Sequence, residues 1–167
     1  DRPTANDWED ALVKTLDLLQ PCLNKKGCPK KWYVFANTSK PVCPYCGTPF
    51  KGQLPVLDFY SSRDGKNFRP DNHRLMVFDG QHLYPWHTMR NIFPNEKLSE
   101  SDKHSLGYFI FHKNSWILVN TGLDSLTDMS TNKQIKIGSY AALKDGLKLQ
   151  LSKEQDGRVC NVSLVKV

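Results

Sequence analysis

Leu143-Lys144-Asp145-Gly146-Leu147-Lys148-Leu149-Gln150-Leu151 alternates apolar and polar residues around an Asp-Gly pair, and Gln155-Asp156-Gly157-Arg158-Val159-Cys160 repeats the device eleven residues later. Strict alternation puts one face of a strand in a core and the other in water. Asp-Gly between two such runs is a strong short-range hairpin signal, because both residues tolerate the positive φ of a type I′ turn. Working backwards, further pairs stand at Asp64-Gly65 and Asp79-Gly80, next to the runs Val56–Tyr60 and Leu75–Phe78. Lys113-Asn114 separates Tyr108–Phe111 from Trp116–Val119 in the same way. Regularly spaced short strands with this turn chemistry predict a β-sandwich or barrel over residues 54–167. The polar stretch 94–105 reads as a surface loop.

Residues 1–53 follow another grammar. The spacing predicts a helix over 6–19, with Asn6 and Glu9 as a capping box and Pro21 as its stop. Trp8, Leu12, Thr15, Leu16 and Leu19, with Ala11 and Leu18, form one apolar stripe, expected to pack into the protein. Lys31-Trp32-Tyr33-Val34-Phe35 reads as a strand. Four of the five cysteines fall within residues 22–46. Cys43-Pro44-Tyr45-Cys46-Gly47 is a zinc-knuckle pattern, in which one turn presents two thiolates. A structural zinc needs four ligands, and Cys22 and Cys28 complete the expected set, since no histidine occurs before residue 70; the competing readings are two disulfides or four free thiols. Such a closed site leaves no position for water, so its expected role is structural. Cys160, inside an apolar run, reads as a buried small hydrophobe.

Composition excludes several classes. The chain of 167 residues is 39% hydrophobic and 24% charged, with no apolar run long enough to span a membrane. Its start, Asp1-Arg2-Pro3-Thr4, is no signal peptide, and the chain is expected to be a fragment or a processed piece. The net charge is +6, yet residues 1–53 and 54–167 contribute equally. That even spread argues against a nucleic-acid partner, for which the cluster Lys25, Lys26, Lys30 and Lys31 is the one candidate. The five histidines lie in no metal or catalytic spacing, and Gly-x-Ser-x-Gly and P-loop motifs are absent. The expectation is a non-catalytic protein. Phe78 to Asn91, rich in aromatic, His and Arg residues, reads either as a recognition loop or as the packing of a strand edge.

The helix with Trp8, Leu19-Gln20-Pro21-Cys22, the aromatic strand and Cys43-Pro-Tyr-Cys46 together resemble the region that follows the catalytic domain in bacterial serine/threonine kinases of the TerY phosphorylation triad, a group associated with tellurium resistance. Asp79-Gly80-Gln81-His82-Leu83-Tyr84, Gly107-Tyr108-Phe109, Trp116–Asn120 and Asp145–Ser152 extend the resemblance over nearly the whole chain. It implies a cytoplasmic interaction module that binds a von Willebrand factor A (VWA) protein, with a PP2C-like phosphatase as a second candidate partner. Residues 54–167 are also similar in layout to a forkhead-associated (FHA) sandwich, a phosphothreonine-binding fold. In that family Arg follows the motif Gly, but Gln81 follows Gly80 here. His87 matches the motif histidine, Tyr84 replaces the motif serine, and Asn120-Thr121-Gly122 approximates the last element. The resemblance thus marks Gly80, Gln81, His87, Arg90 and Asn120 as partner- or phosphopeptide-binding candidates, with Arg90 a replacement guanidinium. The expected architecture is mainly β: an N-terminal helix and a four-cysteine zinc module over 1–53, then an FHA-like β-sandwich over 54–167.

Overall fold

In the computed structural model, which describes residues 2–35 and 41–166, two nine-residue strands organise the molecule. They are β3 (Gln53–Ser61) and β12 (Arg158–Lys166), paired antiparallel without a break from Gln53 opposite Lys166 to Ser61 opposite Arg158. On the far side of β3 lies β4 (Arg69–Met76), with a bulge between Asp58 and Tyr60. Beyond β12 follow β11 (Lys148–Gln150), β8 (Thr127–Asp128) and β9 (Lys133–Gln134), completing a six-stranded sheet. A second sheet of four strands runs β10 (Tyr140–Ala142), β7 (Ser115–Asn120), β6 (Gly107–His112), β5 (His82–Leu83). Every pairing is antiparallel. The fold is therefore mainly β, as its alternating runs predict.

The two sheets share one apolar core. Leu57, Phe59, Leu75, Leu149 and Val162 come from the larger sheet, and Leu83, Phe109, Trp116 and Leu118 from the smaller. Cys160 is fully buried among them, as expected of a small hydrophobe. A smaller cluster lies apart from this core and joins Leu54 and Val56 to the cysteines, Phe35, Phe50 and Met76. Side chains alternate along a strand. On β3 that alternation sends Leu57 and Phe59 into the main core and Leu54 and Val56 to the cysteine cluster, so one strand serves both.

The turns differ from expectation. Of the predicted pairs, only Lys113-Asn114 has both residues left-handed, at φ 47° and 60°, and it alone makes the type I′ hairpin, between β6 and β7. At 64–65, 79–80 and 145–146 the glycine is left-handed and the aspartate is not. Asp79-Gly80 and Asp145-Gly146 are not hairpins at all, since each carries the chain from one sheet to the other. Their carboxylates explain it. Asp79 accepts from the amide of Phe111 and Asp145 from that of Leu164, both at 2.9 Å, clipping each corner to a neighbouring strand. Asp156-Gly157 does join a hairpin, β11 to β12, but with Asp156 at φ 61°. Gly157 is needed there for close approach, because a Cβ would lie 2.7 Å from the carbonyl oxygen of Glu154.

The N-terminal helix α1 spans Ala5–Leu16, shorter than the 6–19 of the sequence reading. Thr4, not Asn6, is its cap. The Thr4 hydroxyl accepts from the Asp7 amide at 3.3 Å, and the Asp7 carboxylate accepts from the Thr4 amide at 2.8 Å. Asp17 ends it. The chain then extends into β1 (Leu19–Pro21), which pairs with β2 (Trp32–Val34), so Pro21 sits in a strand and opposes Trp32. This two-stranded sheet claims Leu19, which the helix would otherwise have kept.

The apolar stripe is not packed. Trp8, Leu12 and Leu16 are 61%, 60% and 62% exposed, and no residue of α1 is buried. Asp10, Val13 and Lys14, spaced at i, i+3 and i+4, are half-buried instead, with Lys14 paired to Asp10 at 2.7 Å. Among the described residues no helix is long and apolar enough to cross a membrane.

Candidate metal centre

Cys22 follows β1, and its amide donates to the carbonyl of Lys31 at 2.7 Å. Cys28 closes the intervening loop, with its amide on Asn24. Cys43 and Cys46 lie on a knuckle. The amide of Cys43 donates to Thr48, that of Gly47 donates back to Cys43, and a bridge between Val42 and Pro49 closes the base. The left-handed φ of 70° at Gly47 lets this turn reverse so tightly.

These loops bring the four sulfurs together. Cys22 Sγ lies 3.5 Å from Cys46 Sγ, Cys28 Sγ lies 3.7 Å from Cys43 Sγ, and all four fall within 4.8 Å of one another. A disulfide needs about 2.05 Å, so none is bonded. A tetrahedral ion with metal–sulfur bonds of about 2.3 Å has sulfur–sulfur edges of about 3.8 Å. The cluster fits such an ion and can hold one. Cys22, Cys28 and Cys43 are buried and Cys46 half-buried. Burial holds the Cys22 thiol up at about 12, whereas hydrogen bonding to Thr48, whose Oγ1 lies 3.2 Å away, brings Cys46 down to about 6. Tyr33 packs in the same cluster, and burial first, then the neighbouring sulfurs, raises its phenol to about 12. No histidine or carboxylate belongs to the four-sulfur group. Four protein ligands close a tetrahedral ion to water and substrate.

The five other candidates do not converge. Gln81 is buried, and its side-chain oxygen accepts from the amide of Phe78. Asn120 is wholly buried; its amide group donates to the carbonyls of Leu123 and Ile135, and its oxygen accepts from the Leu123 amide. Gly80 is a left-handed corner residue. His87 is 3% exposed. Arg90 alone has an exposed side chain free of such duties. Within the Phe78–Asn91 segment, Tyr84 and Trp86 stack at 4.3 Å, both half-buried, around the short helix α2 (Pro85–Thr88). Lys25, Lys26, Lys30 and Lys31 are all exposed, on and just beyond the loop that carries Cys28.

What sequence reasoning missed is the partner of His87. The Asp17 carboxylate sits between two imidazoles, 2.5 Å from His73 Nε2 and 3.2 Å from His87 Nε2. The Tyr84 amide donates to His87 Nδ1 at 3.0 Å, so the His87 proton is on Nε2 and points at Asp17. The Asp17 carbonyl also accepts from the Met76 amide. This lock ties the end of α1 to β4 and α2. Nothing local in the sequence marks it, because its members are 56 and 70 residues apart.

The lock makes acid sensitivity calculable in sign. Burial pushes the Asp17 carboxyl up, but hydrogen bonds from His73 and His87 more than offset it and leave it below 3.8. A carboxyl depressed on folding stabilises the fold fully above its unfolded value and loses that contribution as pH falls through the folded one. Stability should therefore fall off below pH 3.8, with α1 released first. Asp17→Ala, which strands two buried imidazole donors, should cost about 2–3 kcal/mol at neutral pH and flatten the acid limb of a urea-midpoint profile.

No protein-family model, curated protein or solved structure matches the chain.

Proposed function

We propose that this chain is a non-catalytic protein-interaction module in which a zinc-clamped N-terminal segment presents the apolar face of α1 to a partner. The observation that carries this reading is the orientation of the helix. Trp8, Leu12 and Leu16 stand at i, i+4 and i+8, about 60% exposed, while the less exposed side of the helix carries Asp10, Val13 and Lys14, half-buried, and ends at the buried Asp17. A surface helix normally does the reverse. A Trp flanked by two Leu on one helical stripe is the composition of an interface anchor. The cysteine cluster and the Asp17 lock hold the segment that follows α1, so the stripe is preorganised rather than collapsed. Zinc is the ion proposed, because four thiolates at single-ion tetrahedral spacing suit it. The resemblance to the tail of TerY-triad kinases supplies the candidate partners: the VWA protein first, the PP2C-like phosphatase second. An FHA-like descent of the β layers and a cytoplasmic location belong to the same reading.

Co-purification with these two proteins tests it. The chain should be retained by the VWA protein and contain one zinc per molecule by elemental analysis. Trp8→Asp or Leu12→Asp should weaken that binding by about thirtyfold or more, the size of a hot-spot loss, without changing metal content or melting temperature. Retention by neither protein, or retention indifferent to both substitutions, removes the reading.

A further inference from the structure

Away from the metal and from α1, the turn between β3 and β4 faces the segment after α2 across a cleft of about 550 Å³. Arg63, Arg69 and Arg90 line it, with Ser61, Asp64 and Asn67. A second lobe of about 470 Å³ shares Arg63 and Arg90 and adds Phe93, Gln155 and Asp156. All three arginines are exposed. Among the described residues, ion pairs form at Lys14, His73, Arg74, His87, Lys103 and Arg158, and none at these three.

One carboxylate, that of Asp64, lines the cleft. Asp64 accepts from the Ser62 hydroxyl, from the amides of Lys66 and Asn67, and from the Asn67 side chain, at 2.7–2.9 Å. Three of these bonds fall on Oδ1 and shape the turn, and Asp64 forms no ion pair with the three arginines among the described residues. Asp71, close by, is committed to Arg158 and Ser61. Asp156 faces only the second lobe. The backbone beneath the arginines is fixed. Arg69 is a rung of β4 opposite Ser61. The Arg90 amide donates to the Asp156 carbonyl at 2.9 Å, beside a bridge between Met89 and Gly157.

Three guanidinium groups against the single carboxylate of Asp64 leave the cleft with an excess of positive charge, which favours an anion. Their planar forks match the paired oxygens of a carboxylate or a phosphate, and a phosphate has enough oxygens to be shared among several arginines. The cleft is far larger than one phosphate ion, and the adjoining lobe offers Phe93, 52% exposed, to whatever the phosphate is attached to. We infer that Arg63, Arg69 and Arg90 form a binding site for a phosphate monoester, carried either on a peptide side chain or on a small molecule. The site is separate from the α1 face and stands whether or not that face binds a partner.

Titrating the metal-loaded, isotope-labelled chain with phenyl phosphate, with inorganic phosphate and with a degenerate phosphoserine/phosphothreonine peptide library, read by NMR, tests it. Phenyl phosphate should shift the Nε–H signals of the three arginines and the amides of 61–69 and 89–93, and should bind more tightly than inorganic phosphate. Library peptides binding at least about tenfold tighter than phenyl phosphate identify a peptide source. Phenyl phosphate binding as tightly as the peptides identifies a small phosphoester. Arg63→Gln and Arg90→Gln should each weaken binding about tenfold or more, with an unchanged melting temperature. Shifts confined to the lysines of 25–31, no shifts with about 20 mM probe, which would saturate even a weak site, or affinity unaffected by the double substitution would overturn the assignment.

Discussion

Chelating the zinc proposed for the cysteine cluster, or replacing Cys43 with Ser, should unfold the cysteine-bearing segment while the β6–β7 hairpin stays protected. Cys43 is fully buried and sits at the centre of the cluster, with its sulfur 3.7 Å from that of Cys28. Apart from the metal, regular structure among the described residues between 18 and 50 amounts to the three rungs of β1–β2 and one bridge at Val42–Pro49. A two-stranded sheet of that size does not stand alone in water. A structural zinc contributes apparent free energies of about 10–16 kcal/mol in small modules at neutral pH, so loss of the ion proposed here would outweigh every other contact the segment makes. The effect has a boundary because the main core contains none of the four ligands. Yet Leu54, Val56 and Met76 belong to the cysteine cluster and would be uncovered along one face of β3 and β4. Hydrogen exchange should therefore show lost protection at Leu19–Pro21 and Trp32–Val34, intermediate loss at β3 and β4, and little change at Phe109 and Leu118. Simultaneous loss at Phe109 would make the chain a single cooperative unit, with no separable boundary at residue 53.

The second large effect is expected at Asp71. Its carboxylate accepts from Arg158 Nε at 2.6 Å and from the Ser61 hydroxyl at 2.6 Å. Both charged side chains are more than nine-tenths buried. Arg158 also donates to the carbonyl of Trp86 at 2.7 Å and lies over the Phe59 ring, 5.3 Å from its centroid. One guanidinium thus joins β12, β4 and α2. Asp71→Leu leaves that cation buried and unpaired, which costs about 3–5 kcal/mol. For a chain of this size the melting temperature should fall by roughly 6–20 °C. The double variant Asp71→Leu/Arg158→Met should recover most of the loss, because an apolar pair needs no compensation. Thermal melts of the three proteins check this. A double variant as unstable as the single one would show that the cation–π and Trp86 contacts, and not the ion pair, hold the region.

These features divide by how far their signals reach along the chain. The four cysteines are legible because the residue type itself names the chemistry and Cys43 and Cys46 sit on one turn. The strands are legible from alternation. The sense of the turns is not, because Asp79 and Asp145 decide it through bonds to Phe111 and Leu164, 32 and 19 residues away. The stripe on α1 exists as its spacing predicts, but it is exposed and not buried. Periodicity tells which residues share a face but not which way the face points, and here Asp17, gripped by His73 and His87, fixes the end of a helix whose Trp8, Leu12 and Leu16 stay exposed. The arginine cleft is half visible in the sequence. Arg90 stands out within its aromatic segment, but Arg63, on the β3–β4 turn, and Arg69, the first residue of β4, line the same cleft only in the folded chain.

The pairing of β3 with β12 also governs the order in which the molecule can be made. Its two strands are separated by about a hundred residues, and β12 lies between β3 and the whole β11–β8–β9 side of the sheet. A ribosome adding about 5–20 residues per second leaves β3 without its central neighbour for roughly 5–20 s. Throughout that interval Leu54, Val56, Leu57 and Phe59 lie along an open strand edge, the kind of surface that recruits other chains. Asp58, in the middle of that run and beside the bulge, places a charge and a twist where a flat apolar ribbon would otherwise form. Its exposed pairing with Arg74 adds little to the finished fold, so the worth of Asp58 lies in the nascent chain: Asp58→Val should fold to a product of similar stability but in lower yield, as aggregates collect during synthesis.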